Sequence, residues 1–171
     1  NFQRGLVPRF NELGEIAPAN LTLVDRGRLA NTLINSRTAK EYQKPANGAN
    51  RGESLRSAEI SSGDLPLDRI LATLDTGLYL SNLHYLNWSD RPTGRITGMT
   101  RYACFWVERG EIVAPIANLR FDESLYRCWG DNLLALTSTL EFIPDVDTYG
   151  SRQLGGSWVP GSLVKDFTYT L

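Results

Sequence analysis

The chain has 171 residues, 42% of them hydrophobic, with 18 basic against 19 acidic side chains and a net charge of -1. That length is enough to bury an independent core, and the even charge, with no block of one sign, excludes the counterion-release footprint of a nucleic-acid surface. Fifteen of the cations are Arg and three are Lys, a bias that suits fixed carboxylate pairs better than phosphate binding.

No stretch approaches the ~18 consecutive apolar residues of a membrane span. The opening NFQRGLVPRF lacks the charged, apolar and small-residue zones of a signal peptide. The expectation is a soluble, cytoplasmic chain. It opens on Asn1 in running sequence, as a piece of a longer protein would.

In chain order, Leu21, Leu23, Leu29, Leu33 and Ile34 flank an Asp-Arg-Gly step, which predicts a strand, a tight turn and a second strand, with Gly27 supplying positive φ. SRTAKEYQ predicts one or two helical turns capped by Ser36. The polar run KPANGANRGESLRSAEISSG reads as a long loop, and loops of that length inside compact domains are commonly functional or disordered. SGDLPLDRILATLDTG predicts a helix with Asp64 near its cap, Pro66 in its first turn, an apolar stripe through Leu67, Ile70, Leu71 and Leu74, and Gly77 at its end.

LYLSNLHYL then predicts a strand and NWSDRPTG a loop. Arg95 to Val107 predicts a second strand, joined through an ERG turn to EIVAPI, where Pro115 puts that third strand at an edge or ends its pairing. From Asp122 to Leu140, helical spacing of Leu125, Cys128, Trp129, Leu133 and Leu136 predicts a helix weakened at Gly130. The tail holds a Gly-rich turn region, YGSRQLGGSWVPGS, and a closing strand with Val164, Phe167 and Tyr169. The expected class is α+β, a predominantly antiparallel β-sheet, sandwich or barrel-like, with two main helices in a single domain over 1–171.

Chemistry is sparse. His84 is the only histidine, in a strand-like run that suits a hydrogen-bonded, half-buried residue, and no two-His metal spacing or paired Cys motif occurs. Cys104 and Cys128 read as small core residues in a reducing compartment, with a disulfide between them left open. No nucleophile elbow or phosphate-cradling glycine loop is present. Glu108 and Glu111 flank a turn that water can reach. Trp106 and Trp129 read as core, whereas Trp88 and Trp158 sit among loop residues and are candidate contact anchors.

Several segments now fall in a familiar order: VDRG before TLINSRTAKEY, NGANRGES, TGLYLSNL, and above all TGRITGMTRYACFWVERGEIVAPI. From about Leu21 to Thr170 the chain resembles the C-terminal part of the TldD/TldE (PmbA) family, also labelled candidate modulators of DNA gyrase. The FWVE-x-GEI wording is closer to the TldE branch. The resemblance implies a bacterial or archaeal cytoplasmic metallopeptidase family that processes or degrades peptides through two-chain complexes. In them a TldD-type subunit carries zinc on a His-Glu-x-x-x-His helix with a late Cys, and the TldE type lacks the zinc site.

This chain holds no such helix, and the late Cys would fall near Tyr149, where none stands. The resemblance therefore implies no catalytic residue and no metal ligand here, with zinc expected in a TldD-like partner and an extended peptide as substrate. RGES resembles a segment near the family's active-site cleft. Arg51, Glu53 and Ser54, with Trp88 from the residue reading, are the candidate substrate or partner contacts. The expected role is a structural and interface-forming C-terminal domain of a TldE/PmbA-like subunit, not catalytic by itself. The alternative is a binding module for nucleic acid or protein unrelated to proteolysis.

Overall fold

The structure, a computed structural model, describes residues 6–146, 148–149 and 154–170. It divides into two units, Asn1–Ile60 with Glu141–Val159 and Ser61–Leu140 with Pro160–Leu171. In chain order the elements are β1 (Val24–Asp25), β2 (Arg28–Leu29), α1 (Ser36–Tyr42), β3 (Ser57–Glu59), α2 (Ile70–Leu74), β4 (Gly77–Asp90), β5 (Arg95–Glu108), β6 (Glu111–Pro115), β7 (Arg120–Ser124), β8 (Leu133–Pro144), β9 (Gly156–Val164) and β10 (Tyr169–Thr170). Strands dominate, nearly all antiparallel, so the α+β class expected from the sequence is the class observed. Among the described residues no helix is long and apolar enough to cross a membrane.

In the second unit a five-stranded sheet is ordered β10, β7, β5, β4, with β6 also on β5. β5 pairs with β4 along nearly its whole length, from Gly77 opposite Val107 to Asp90 opposite Arg95. Its other edge is shared: β7 takes Arg95 to Met99 and β6 takes Phe105 to Glu108. Thr100, Cys104 and Val107 of β5 are buried together with Phe121 of β7. Gly98 makes that packing possible, because a Cβ there would lie 2.8 Å from the Phe121 ring and 2.9 Å from the His84 carbonyl. The Phe167 ring packs edge-on against Phe121 and next to Tyr169, at 5.3 and 5.2 Å. Burial, with the two cysteines near it, pushes the Tyr169 hydroxyl up to about 12. Cys104 and Cys128 are both buried free thiols, so the open disulfide is not formed.

The hairpin turns follow the sequence expectation. Arg26 and Gly27 have φ 47 and 77, and Arg109 and Gly110 have φ 51 and 78. Two consecutive left-handed residues make the turn whose twist matches its flanking strands, and glycine takes the second place without strain. β6 ends at Pro115, as the missing donor requires.

Several expectations are corrected. The helix expected over 122–140 is instead β7, a five-residue π-helical turn Arg127–Asp131, and β8. Gly130 there has φ -109 and ψ -111, which no helix contains. Beyond it, Thr137, Thr139, Phe142 and Ile143 favour the pleated strand. Trp129, expected in the core, is exposed. The loop expected at NWSD belongs to β4, with the turn confined to 91–94. Trp158 lies in β9 and stacks on Phe142 at 5.2 Å. The long loop contains β3, parallel to β9 from Ser57 opposite Gly156 to Glu59 opposite Trp158. α2 and the 3-10 turn Leu67–Arg69 before it begin after Pro66 with no side-chain cap from Asp64, and α2 ends at Leu74 with Asp75 as its C-cap, not at Gly77. Residues 150–153 of the expected Gly-rich turn lie outside the described residues.

Glu123 ties this unit's last segment to β7. It is 3% exposed, and it accepts hydrogen bonds from the Thr168 and Ser124 amides at 2.9 and 2.8 Å and from Arg127 at 3.2 Å. Burial pushes its carboxyl up, but these donors together outweigh it and hold it below the usual 4.5. A lowered folded value means that the contribution is complete above the unfolded value and is lost as pH falls through the folded one. Glu123→Gln is expected to cost ~2 kcal/mol at pH 7, with the gap to the parent closing below pH ~4. Urea unfolding across that range checks it, and a gap independent of pH would count against the ionised carboxylate.

Candidate functional site

The candidate loop is ordered by side chains standing in for secondary structure. Asn50 closes it on itself: its carbonyl accepts from the Glu53 amide at 2.9 Å, its Oδ1 from the Ser54 amide at 2.9 Å, and its Nδ2 donates to Ser54 Oγ at 2.7 Å. This is the local turn chemistry that Asn favours over helix or strand. Glu53, at φ 50, points its carboxylate at the start of α1, where Oε1 accepts from the Asn35 amide at 2.9 Å. Asn35 is the true N-cap, its Oδ1 accepting from the Thr38 amide at 2.9 Å, which corrects the Ser36 cap. A capping box is normally written within four residues. Here its acid comes from 18 residues downstream.

The same loop is held from the other side. The Arg51 carbonyl accepts from Asn35 Nδ2 at 3.2 Å, and the Arg51 amide donates to Glu12 Oε1 at 2.5 Å. Glu15 receives the Ser36 hydroxyl and Asn11 Nδ2. Asn11 is buried, and its Oδ1 accepts from the Leu13 and Glu15 amides while Nδ2 also reaches the Ala49 carbonyl at 3.0 Å. The Asn35 amide and the Thr38 side chain hold the Glu53 carboxyl below the usual carboxylate range. Backbone amides, its own and that of Arg51, do the same for Glu12.

The structure thus brings Arg51, Glu53 and Ser54 together, with Glu53 and Ser54 engaged in positioning the loop and the Arg51 side chain exposed. Trp88 is not part of that group. It lies in β4 of the other unit, opposite Ile96 and 47% exposed.

Beside the loop in the first unit lies a cleft of about 520 Å³, within the range of ligand pockets. Val7, Leu55, Ile143 and Leu154 give it apolar walls, and Arg56 and Asp145 give it one charge of each sign. Arg56 Nη2 is fixed by the Pro8 and Phe10 carbonyls, both at 3.0 Å. The sequence reading stopped at Ser54. In the sequence Arg56 stands only as one more cation of the long polar run before β3.

Zinc chemistry needs three or four converging ligands. Among the described residues no group of three or more His, Cys, Asp or Glu side chains is placed to hold a metal. His84 Nε2 faces the Arg101 guanidinium at 2.5 Å, and both cysteines are buried. The described residues do not fit a zinc site.

Asn35→Ala is expected to cost ~1 kcal/mol through the lost cap, and Glu53→Ala to speed hydrogen exchange at the Asn35 amide. Exchange at α1 unchanged in both variants would mean that the Asn and Glu contacts do not order this loop.

No curated protein matches the chain. Among solved structures it is similar to TldE from Thermococcus kodakarensis, with TM-score 0.74 and 15% identity over 96% of this chain and 36% of that one. It is similar also to a candidate modulator of a DNA gyrase from Thermotoga maritima, with TM-score 0.71 and 15% identity over 95% and 35%. A candidate modulator of DNA gyrase from Bacteroides thetaiotaomicron gives TM-score 0.61 and 18% identity over 93% and 34%. The chain spans about a third of the length of these structures, and at such identities the likeness is one of fold. The family model of the PmbA/TldA metallopeptidase C-terminal domain matches residues 15–170, and the chain belongs to that family.

Proposed function

We propose that this chain is the structural, interface-forming C-terminal domain of a TldE/PmbA-like subunit in a cytoplasmic peptidase complex, with hydrolysis carried by a zinc-bearing TldD-like partner. The observation that carries this reading is the family match over residues 15–170 to a metallopeptidase C-terminal domain. Its own chemistry agrees with a supporting role. The groups that could act as acid or base in the RGES loop are engaged in holding backbone, with Glu53 on the Asn35 amide and Glu12 on the Arg51 amide.

Two surfaces serve an extended peptide on this reading. β4 ends its sheet, and from Gly77 to Ser89 it carries no Asp, Glu, Lys, Arg or Pro. Those are the devices that ordinarily keep an edge strand from pairing. A peptide laid along such an edge gains main-chain hydrogen bonds with little demand on its sequence. The cleft at Arg56, lined by polar and apolar groups together, is the second such surface, within the first unit.

The experiment mixes the full-length protein containing this chain with a TldD-like subunit, then measures association, zinc content and cleavage of unfolded peptides. The expected result is a two-subunit complex with zinc in the partner, and cleavage that needs both chains. Tight zinc binding and peptide cleavage by the full-length protein alone would overturn the proposal, and salt-sensitive DNA binding would favour the alternative module.

A further inference from the structure

The long hairpin of β4 and β5 carries a side-chain cluster that neither the fold nor the family reading uses. Arg101 lies opposite Asn82 in the ladder. Its Nη1 donates to His84 Nε2 at 2.5 Å, and its guanidinium carbon sits 5.3 Å from the centre of the Tyr102 ring. The His84 and Tyr85 rings are 5.9 Å apart. Tyr85, His84, Arg101 and Tyr102 therefore form one string of contacts across both strands.

Both tyrosines stand in left-handed backbone, with φ 57 at Tyr85 and 65 at Tyr102, and each falls where the β4 and β5 register shifts. Such a conformation is strained for a bulky residue. The bulges re-aim the side chains, and the two tyrosines are 80% and 74% exposed. Leu86 and Trp88 continue the exposed apolar stretch along β4.

The hairpin itself carries charge of one sign here, while on the neighbouring β7 Arg120 lies opposite Met99 and Asp122, paired with Arg95, lies opposite Thr97. Arg101 is the only Asp, Glu, Lys or Arg between Ile96 and Val107, and β4 offers none from Gly77 to Ser89. Among the described residues no carboxylate makes an ion pair with it. The guanidinium is held by His84 and Tyr102, with no carboxylate partner among the described residues.

We propose that this face of the hairpin is a docking surface for an acidic segment of a partner polypeptide, one carboxylate received by Arg101 and apolar side chains packed on Tyr85 and Tyr102. A carboxylate matches the guanidinium fork, and a cation already fixed by its neighbours loses less freedom on binding. Tyr, Trp and Arg are the side chains that anchor protein interfaces. A nucleic acid would need several cations for counterion release, and from Gly77 to Ser89 and from Ile96 to Val107 the hairpin carries one. The proposal does not depend on the peptidase reading, because it concerns only the chemistry of this hairpin.

The test titrates the full chain, by calorimetry, with three probes. They are a capped peptide of alternating Leu and Glu, its twin with Gln for each Glu, and a single-stranded oligothymidylate. The acidic peptide is expected to bind at least ~10-fold tighter than its twin, and Arg101→Gln to remove that preference. Tyr85→Ser with Tyr102→Ser is expected to weaken both peptides. Arg101→Lys, checked for an unchanged unfolding midpoint, is expected to keep part of the preference and decides the matter if Arg101→Gln fails to fold. No binding of the acidic peptide, equal binding of both peptides, insensitivity to the Arg101 variants, or tighter binding of the oligothymidylate would each overturn the proposal.

Discussion

The second unit depends on one strand having both of its edges used. β5 gives one edge to β4 along nearly its full length and divides the other between β7 and β6, so every strand of that sheet except β10 is hydrogen-bonded to it. A strand in that position must present its backbone groups cleanly and bury its core face. The sequence from Ile96 to Val107 meets this with a single charge, at Arg101. It places Gly98, Thr100, Cys104 and Val107 in the interior. The extra residue near Tyr102 shifts the register once, and the Arg109-Gly110 turn then returns the chain as β6. The longest segment that marks the family, TGRITGMTRYACFWVERGEIVAPI, is this strand, its turn and its partner. Its first task is architectural, and neither Glu108 nor Arg109 needs a chemical role to explain it.

The first unit uses a different device. It has little regular structure before β3, and buried Asn11 and Asn35, with Asn47, Asn50, Glu12 and Glu53, tie backbone groups that no ladder pairs, while Glu15 joins the Asn11 and Ser36 side chains. Such networks fix one arrangement when every member is satisfied. The result is an ordered polar loop next to a partly apolar cleft, with Glu12, Glu15 and Glu53 committed to holding it. That division suits a domain that works through its surfaces, which is the role proposed for it beside a zinc-bearing subunit.

What was legible in the sequence was mostly local. Both Arg-Gly turns, the strand pair on either side of each, and the edge position of the Pro115 strand follow from backbone chemistry within a few residues. The misread helix over 122–140 came from apolar residues that happen to recur at helical spacing. Its segment is claimed at one end by β5 and β10 through pairings that no local pattern announces. Gly130 and the Thr-rich run after it were the available warning. The RGES loop was legible as a distinctive polar segment, but not its task, because the groups it serves lie 18 and 39 residues away. His84 was legible as a half-buried, hydrogen-bonded strand residue. Its neighbour Tyr85 was not singled out, since a left-handed tyrosine in a strand has no sequence signature.

If the domain acts through its surfaces, the strand at the end of its sheet should change when the complex assembles with its peptide while the strand at the centre should not. Hydrogen exchange of the full-length protein, alone and with a TldD-like subunit bound, reads both at once. The expected result is slower exchange along Gly77–Asp90 in the complex, with β5 amides slow in both states. A complex that forms and cleaves peptides, bound to peptide or not, with β4 exchange unchanged would contradict it.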